Sequence, residues 1–413
     1  MRKTAATLAL IILALLPLGA LSLRPAPLAD SFESLDNLAL FDFSDEEGLD
    51  EAYLDQVHFY LVTQAPGDPV YSWFGHVGLL VETPDQSVMY DWGVFSFSEG
   101  FYLNFLFGRL YYQLLPSHPA SSMSQAVRED RRLTILPLDF DNAAKRGAIA
   151  FLNYNARPEN RTYLYHYYLD NCATRIRDLI DSATDGAFRQ WAESVDTGLT
   201  LREYSTAYME HSWPVAFTLN YLQGRSIDGS ASLWDACFLP DVLMEAAATF
   251  FSREAQVINE GRDVALGDGN IILESFVVGL SLAIVMHSLF RRSRRAYGIL
   301  SIPVHLYFFL LSSVLLFMSL FTNHDVTYGN ENLLVLSPLF VIPLIDSIRL
   351  AMKPKSRGRV TVACYRLFSI MALTALVLKG LFPTVFSQDN FALFAFVAPL
   401  YLAMGFAGGK KDV

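Results

Sequence analysis

Hydrophobic patterning divides the chain into an alternating front part and an apolar C-terminal third. Two helical patterns in the front part follow capping residues, one from Asp141 to about Asn155 and one from Cys172 to about Ser182. Residues 198–262 also have a mainly helical pattern. Partly alternating runs rich in β-branched and aromatic residues predict strands at 56–63, 75–82, 87–95 and 132–138. The pattern therefore predicts an α+β domain.

The C-terminal third consists of apolar segments that predict transmembrane helices. Each approaches or reaches the ~20 residues needed to cross hydrocarbon. The loops 322–332 and 387–390 contain no Lys or Arg, whereas the alternate loops are basic. The positive-inside rule then places the front domain outside the membrane and the C-terminus in the cytoplasm. The five segments are 271–290, 299–321, 333–350, 365–386 and 391–407.

The N-terminus has the pattern of an export signal. Arg2 and Lys3 precede an apolar run from about residue 7 to residue 23, which fits either a cleavable signal peptide or a signal anchor. We therefore predict four regions, with everything before the transmembrane domain exported. They are a signal segment (1–23), an acidic linker (24–52), an exported catalytic domain (53–262) and a five-helix transmembrane domain (271–407).

Charge argues against nucleic acid as a partner. The 413-residue chain has a net charge of −11, concentrated near the front. No Lys or Arg occurs between Arg24 and Arg109. Binding to nucleic-acid phosphates requires a basic surface, which this distribution does not favour.

Cys172 is the candidate nucleophile. Asp170 or Asn171 can cap the helix that begins there, which puts the thiol in the first turn. Unpaired N–H groups and the helix dipole favour a thiolate at that position. The alternative is a structural disulfide with Cys237, since an exported domain meets an oxidising compartment.

His76 is the candidate base. It follows Gly75 at the start of a predicted strand, and a nearby imidazole would activate the thiol and carry the proton. Asp91, on the next strand, is the best-placed carboxylate to orient it. A histidine on a strand and a cysteine at a helix start form the papain-like arrangement, here in reversed chain order. His166 is the competing base, and no zinc-ligand spacing indicates a metal or other cofactor.

Four motifs resemble those of the Lnb-type exported domain family. The motif DNCATR contains Cys172 and the motif FGH contains His76, and by position these match the family's nucleophile and histidine. Many relatives have Asn-Tyr-Gly where this chain has Tyr90-Asp91-Trp92-Gly93. The motifs are PGDPVYSWFGHVGLLVE (66–82), YDWGVFSF (90–97), FLFGRLYYQL (105–114) and RPENRTYLYHYYLDNCATRIRDLI (157–180).

The resemblance implies a permuted papain-like (NlpC-like) core and bacterial lipoprotein N-acylation at the inner membrane, with the catalytic domain on the periplasmic side. The partners would be a phospholipid acyl donor and a diacylglyceryl lipoprotein acceptor. The rival interpretations are a thiol hydrolase, either a phospholipase or a cell-wall amidase, and an inactive membrane-anchored binding protein. The supporting site residues are Asp170, Asn171, Arg175, Tyr165 and His324.

Charged residues inside apolar segments indicate pairing or function. Glu274 and Lys379 both lie toward the outer ends of their helices and are candidates to pair. Lys379 could instead hold a phospholipid phosphate, and Asp346 is one turn from Arg349. The loop 322–332 is predicted to pack beneath the catalytic cleft, with His324 near Cys172.

Overall fold

The computed structural model describes residues 49–95, 100–262, 264–354 and 358–407. The predicted signal segment and most of the acidic linker lie outside these residues. The strands are β1 (His58–Gln64), β2 (His76–Glu82), β3 (Ser87–Val94), β4 (Tyr111–Ser117), β5 (Leu133–Leu138), β6 (Thr162–Leu164), β7 (Asp196–Thr200), β8 (Ser230–Ser232) and β9 (Gln256–Asn259). The front helices are α1 (Glu51–Leu54), α2 (Phe101–Leu106), α3 (Pro119–Arg128), α4 (Asn142–Ala156), α5 (Cys172–Ala183), α6 (Ala187–Glu193), α7 (Leu201–Ala207) and α8 (Trp213–Leu222). The remaining helices are α9 (Leu233–Ala236), α10 (Pro240–Phe251), α11 (Ile272–Arg292), α12 (Arg294–Phe321), α13 (Asn332–Val335), α14 (Val341–Met352), α15 (Arg359–Leu381) and α16 (Phe391–Gly405).

The chain divides into two compact units. The sheet unit holds the described residues up to Leu201 together with Ser230–Ala265. The helical unit holds Arg202–Gly229 and the described residues from Leu266 on. The exported segment 202–229 is thus grouped with the transmembrane helices, although residues on both sides of it belong to the sheet unit.

The sheet unit is built on an antiparallel sheet of seven strands in the order β6-β4-β3-β2-β1-β5-β9. The four strands predicted from alternation are confirmed as β1, β2, β3 and β5. A tight turn joins β2 to β3, in which the hydroxyl of Thr83 accepts from the backbone N–H of Asp85 and Gln86. The predicted helical character of 198–262 holds for α7 to α10, but three short strands were missed there.

Helices cover both faces of the sheet. The apolar side chains of α5 (Ile176, Leu179 and Ile180) are buried against one face, which also contains Leu79. Leu80 points to the opposite face, because neighbouring strand residues alternate, and it packs in a smaller cluster with Met123 of α3. The helix predicted to begin at Cys172 is therefore present and buries its apolar side against the sheet.

In the helical unit, four segments of the described chain are long and apolar enough to cross a membrane: α11, α12, Asn332–Met352 and α15. The third contains α13 and α14, with a 3₁₀ turn between them. The predicted fifth crossing is a shorter helix, α16, of 15 residues. At 1.5 Å per residue it spans only about 22 Å, so five crossings remain a prediction.

A polar network occupies the end of the helical unit that carries the loops predicted to face outward. Nζ of Lys379 donates to Oε2 of Glu331 at 2.8 Å and to the carbonyl oxygens of Phe386 and Gln388 at 3.1 and 2.6 Å. These acceptors match the three donors of an ammonium group. The expected pairing of Lys379 with Glu274 is therefore wrong, and the network leaves no donor of Lys379 for a lipid phosphate.

A further ion pair lies in the same unit. Asp346 pairs with Arg349 at 2.9 Å, as the one-turn spacing predicts.

Segment 202–229 is held to the loops of the helical unit by hydrogen bonds from its backbone and its side chains. Tyr221 donates its hydroxyl to the carbonyl of Leu336 at 2.6 Å and accepts at its carbonyl from Asn330 at 3.1 Å.

Candidate active site

His76 begins β2 directly after a glycine that no other residue can easily replace. Gly75 has a φ of 71°, and a Cβ there would lie 2.9 Å from the carbonyl oxygen of Gln64. Both features favour glycine. The pair Gly75-His76 therefore lets the chain turn sharply into the strand and present the imidazole at its start.

Asp91 lies beside His76 because of the register of the β2–β3 hairpin. The hairpin pairs Asp91 with Gly78, two residues beyond His76. Nε2 of His76 donates to Oδ1 of Asp91 at 2.8 Å. A Cβ on Gly78 would lie only 2.7 Å from that same Oδ1. The second glycine of the GHVG sequence thus leaves the space that the carboxylate occupies.

Cys172 is the first residue of α5, and Asn171 is its N-cap. Oδ1 of Asn171 accepts from the backbone N–H of Ala173 and Thr174, both at 2.9 Å. Its amide nitrogen donates to the carbonyls of Tyr167 and Phe238, also at 2.9 Å. Four hydrogen bonds therefore fix the residue that precedes the thiol.

Cys172 and His76 interact directly. Burial in itself lowers the pKa of His76, but hydrogen bonds to Asp91 and Cys172, together with their negative charges, raise it to about 10. At neutral pH the ring is then an imidazolium. The cationic ring thus lies beside the half-buried sulfur of Cys172.

Three of the predicted supporting residues, Asp170, Asn171 and Arg175, flank Cys172 at the start of its helix. Nη2 of Arg175 donates to Oδ2 of Asp170 at 2.7 Å, and the guanidinium lies 4.4 Å from the centre of the Tyr163 ring. The ring of Tyr165 packs against that of Tyr112 in a tilted arrangement, with centroids 4.4 Å apart. Asp170 therefore orients Arg175 over an aromatic ring, while Asn171 performs the capping.

The structure gives the residues of the competing interpretations other roles than catalysis. Nδ1 of His166 accepts from the backbone N–H of Tyr168 and Leu169 at 3.2 and 3.0 Å, which gives this histidine a turn-forming role. Cys172 and Cys237 are both free thiols, so the structure contains no disulfide between them. Burial raises the pKa of Cys237 to about 12. His324 belongs to the helical unit, and its proximity to Cys172 stays a prediction.

Sequence reasoning missed three residues around the site. Gly93 has a φ of 84°, and a Cβ there would lie 3.9 Å from the Cβ of Cys172. Ser122 lies 3.5 Å from Oδ1 of Asp91 and accepts from Gln64 at 3.1 Å. A glycine inside a strand pattern was a usable signal for Gly93. Ser122 and Gln64 join the site through long-range contacts, which no local pattern reveals.

Comparison with known proteins supports the resemblance seen in the motifs. Residues 45–206 match the profile of the Lnb N-terminal periplasmic domain. This range contains His76, Asp91 and Cys172. No curated protein and no solved structure matches the chain. With four described helices long and apolar enough to cross a membrane, the chain has the features of a membrane protein that carries a periplasmic domain similar to the Lnb N-terminal domain.

Proposed function

We propose that the protein is a cysteine-dependent N-acyltransferase of bacterial lipoproteins, anchored in the inner membrane. The observation that carries this proposal is the Cys172–His76–Asp91 arrangement inside a domain of the Lnb family. In the first half-reaction the Cys172 thiolate attacks an ester carbonyl of a phospholipid. His76, as imidazolium, gives its proton to the leaving alkoxide, so that a thioester and a lysophospholipid form.

The second half-reaction uses the same residues in reverse. The neutral α-amine of a diacylglyceryl-cysteine lipoprotein attacks the thioester carbonyl. His76, now neutral, accepts the amine proton as the thiolate of Cys172 leaves. The products are an amide on the lipoprotein and the original imidazolium–thiolate pair. Two half-reactions at one sulfur imply ping-pong kinetics.

The oxyanion of each half-reaction requires hydrogen-bond donors. The side chain of Asn171 is unsuited to this role, because both hydrogens of its amide are donated to the carbonyls of Tyr167 and Phe238. The backbone N–H of Cys172 belongs to the first turn of α5, where no intrahelical acceptor exists. We assign the oxyanion to that N–H group.

The arrangement also supports a permuted papain-like relationship. In this chain the histidine strand β2 precedes the cysteine helix α5, and α5 packs against β2 and β3. Nε2 of His76 faces the carboxylate of Asp91. The geometry therefore leaves Nδ1 for the thiol, with Asp91 as the orienting group.

Mass spectrometry of lipoprotein N-termini tests the proposal. The protein is expressed in a bacterial strain that lacks its own lipoprotein N-acyltransferase, and the Cys172→Ala variant is expressed to the same level. We expect an added N-linked acyl chain with the wild-type protein only. Unmodified N-termini together with released fatty acid would identify a hydrolase, and unmodified N-termini without fatty acid would contradict both enzymatic functions.

A further inference from the structure

Helix α2 exposes an unusually apolar surface. Asn104 is its one polar side chain, apart from the tyrosine hydroxyl. A helix that is apolar all round is normally buried, yet Leu103 is 61% exposed and Tyr102 is 67% exposed. A surface of this kind in a folded protein marks an interaction site.

The exposed apolar surface extends from α2 onto the neighbouring sheet edge. Tyr111 of β4 pairs with Leu164 of β6, and both side chains are exposed. Tyr111 lines the same cavity as Phe105 of α2, so helix and edge are continuous. We call this surface the apolar patch; its residues are Tyr102, Leu103, Phe105, Leu106, Tyr111 and Leu164.

The cavity beside the apolar patch combines apolar walls with one cation. Its volume is about 210 Å³, and Phe95, Phe101 and Leu110 contribute to its lining. Arg109 also lines it, and no other Lys or Arg occurs between Arg24 and Arg128. A guanidinium recognises phosphate well. Apolar side chains around an isolated arginine match the boundary between lipid chains and lipid phosphates.

A row of aromatic rings connects this cavity to the thiol. The ring of Phe95 stacks on that of Tyr112 with centroids 4.9 Å apart, and the ring of Tyr112 packs against that of Tyr165 in a tilted arrangement at 4.4 Å. A Cβ on Gly93 would contact both Tyr165, at 3.8 Å, and the Cβ of Cys172, at 3.9 Å. The row of rings therefore leads from the exposed helix to the neighbourhood of the nucleophile, where Gly93 lies between Tyr165 and Cys172.

We propose that the apolar patch is the face with which the sheet unit enters the surface of a phospholipid bilayer. A glycerophospholipid then lies in the cavity with its phosphate at Arg109 and a chain against the aromatic rings. The chain's own membrane helices keep the sheet unit at a bilayer, which makes lipid the constant neighbour of this surface. The role of the bound lipid as acyl donor rests on the proposed function, whereas the docking face does not.

Lipid quenching tests the docking face without any catalysis. The full-length Cys172→Ala protein receives Leu103→Cys, is labelled with an environment-sensitive fluorophore and is reconstituted into phosphatidylcholine–phosphatidylglycerol vesicles containing nitroxide lipids. The matched control is Val127→Cys on α3, which is 50% exposed in the same unit. We expect quenching at residue 103 to be several-fold stronger than at residue 127. Equal quenching at the two positions would overturn the proposal.

Kinetics test whether the same face delivers substrate. The double variant Leu103→Ser/Leu106→Ser should lower kcat/KM for phospholipid in vesicles by about tenfold or more, while alkylation of Cys172 by iodoacetamide keeps its rate. Arg109→Gln should raise KM with little change in kcat. Arg109→Lys, which keeps the positive charge, should bring KM part of the way back to the wild-type value. Unchanged kinetics in both sets would refute the substrate role. If the wild-type protein transfers no acyl group, the proposed function fails while the quenching experiment still decides the docking face.

Discussion

Each unit of this protein contains a cation held by a carboxylate at 2.8 Å, but the two pairs differ in what else the cation touches. Lys379 meets Glu331 and two backbone carbonyls, which fill all three of its donors. His76 meets Asp91 through one ring nitrogen and interacts through its remaining polar surface with Cys172. The Lys379 pair closes a network, whereas the His76 pair lies beside a thiol, as the proposed function requires.

The difference shows what separates a structural ion pair from a reactive one. Distance and burial are similar, since the side chains of Glu331 and Asp91 are 7% and 10% exposed. The two pairs differ in how many donors of the cation lack a carboxylate or carbonyl acceptor, and in whether a thiol lies beside the cation. Removal of one partner from a buried pair strongly destabilises a protein, so changes in the two pairs should affect different measurements.

Removal of the nucleophile should give the largest effect. Cys172→Ala and Cys172→Ser should each lower acyl transfer by about 10⁴-fold or more, because the thioester can no longer form. The measurement is transfer from labelled phospholipid, with thermal unfolding as the check on folding. Cys237→Ala is the matched thiol control and should retain activity. Wild-type turnover in Cys172→Ala would remove the covalent mechanism.

Loss of the base should have a somewhat smaller effect. His76→Ala should lower the rate by about 10² to 10⁴-fold, the usual contribution of a general acid–base group. The His166→Ala variant serves as control, since the ring of His166 forms a local turn. If His166→Ala loses activity and His76→Ala keeps it, the roles assigned to the two histidines are exchanged.

Breaking the Lys379–Glu331 pair should lower the stability of the protein and leave the reactivity of the Cys172 thiol unchanged. Glu331→Gln leaves Lys379 without its buried counter-charge and should destabilise the protein by about 3–5 kcal/mol. Thermal unfolding in detergent measures this, and the alkylation rate of Cys172 should stay at the wild-type value. Glu193→Gln, in an exposed pair with Arg189, should not change the unfolding temperature. A loss of thiol reactivity in Glu331→Gln would show that the distinction between the pairs is wrong.

The pH profile should give the smallest but most specific effect. The pKa of His76 is raised to about 10, so the imidazolium persists below that pH and activity is lost as pH rises through it. Asp91→Asn removes one of the negative charges that raise this pKa. The alkaline limb of the rate profile should then move to lower pH by about one unit or more. Asp170→Asn, whose carboxylate pairs with Arg175, should leave the limb in place.

Local sequence signals predicted those contacts of the candidate site that residues close together in the chain determine. A tight turn between two alternating runs fixes a hairpin register, and that register is what places Asp91 next to His76. The same reasoning located the cap before Cys172 but could not choose between Asp170 and Asn171. That choice depends on the carbonyl of Phe238, which is 67 residues away in sequence.

The errors have the same physical origin. The position of Lys379 in an apolar segment indicated that its charge needs a carboxylate partner. It could not indicate which residue supplies that carboxylate, because Glu331 is 48 residues away in the chain. β9 was missed because it has only four residues and forms its strand by pairing with the distant strand β5. The grouping of 202–229 with the helical unit likewise depends on contacts such as that of Tyr221 with Leu336.

The hydrogen bond from Asn171 to Phe238 has a consequence for biogenesis. While the chain is being exported, residue 172 leaves the translocation channel well before residue 238. Until Phe238 follows, the capping amide of Asn171 lacks one of the two carbonyls that hold it. Under the proposed function, the nucleophile is therefore fully positioned only after the chain has been exported as far as Phe238. We expect acyl transfer to begin only once this last part of the sheet unit has folded.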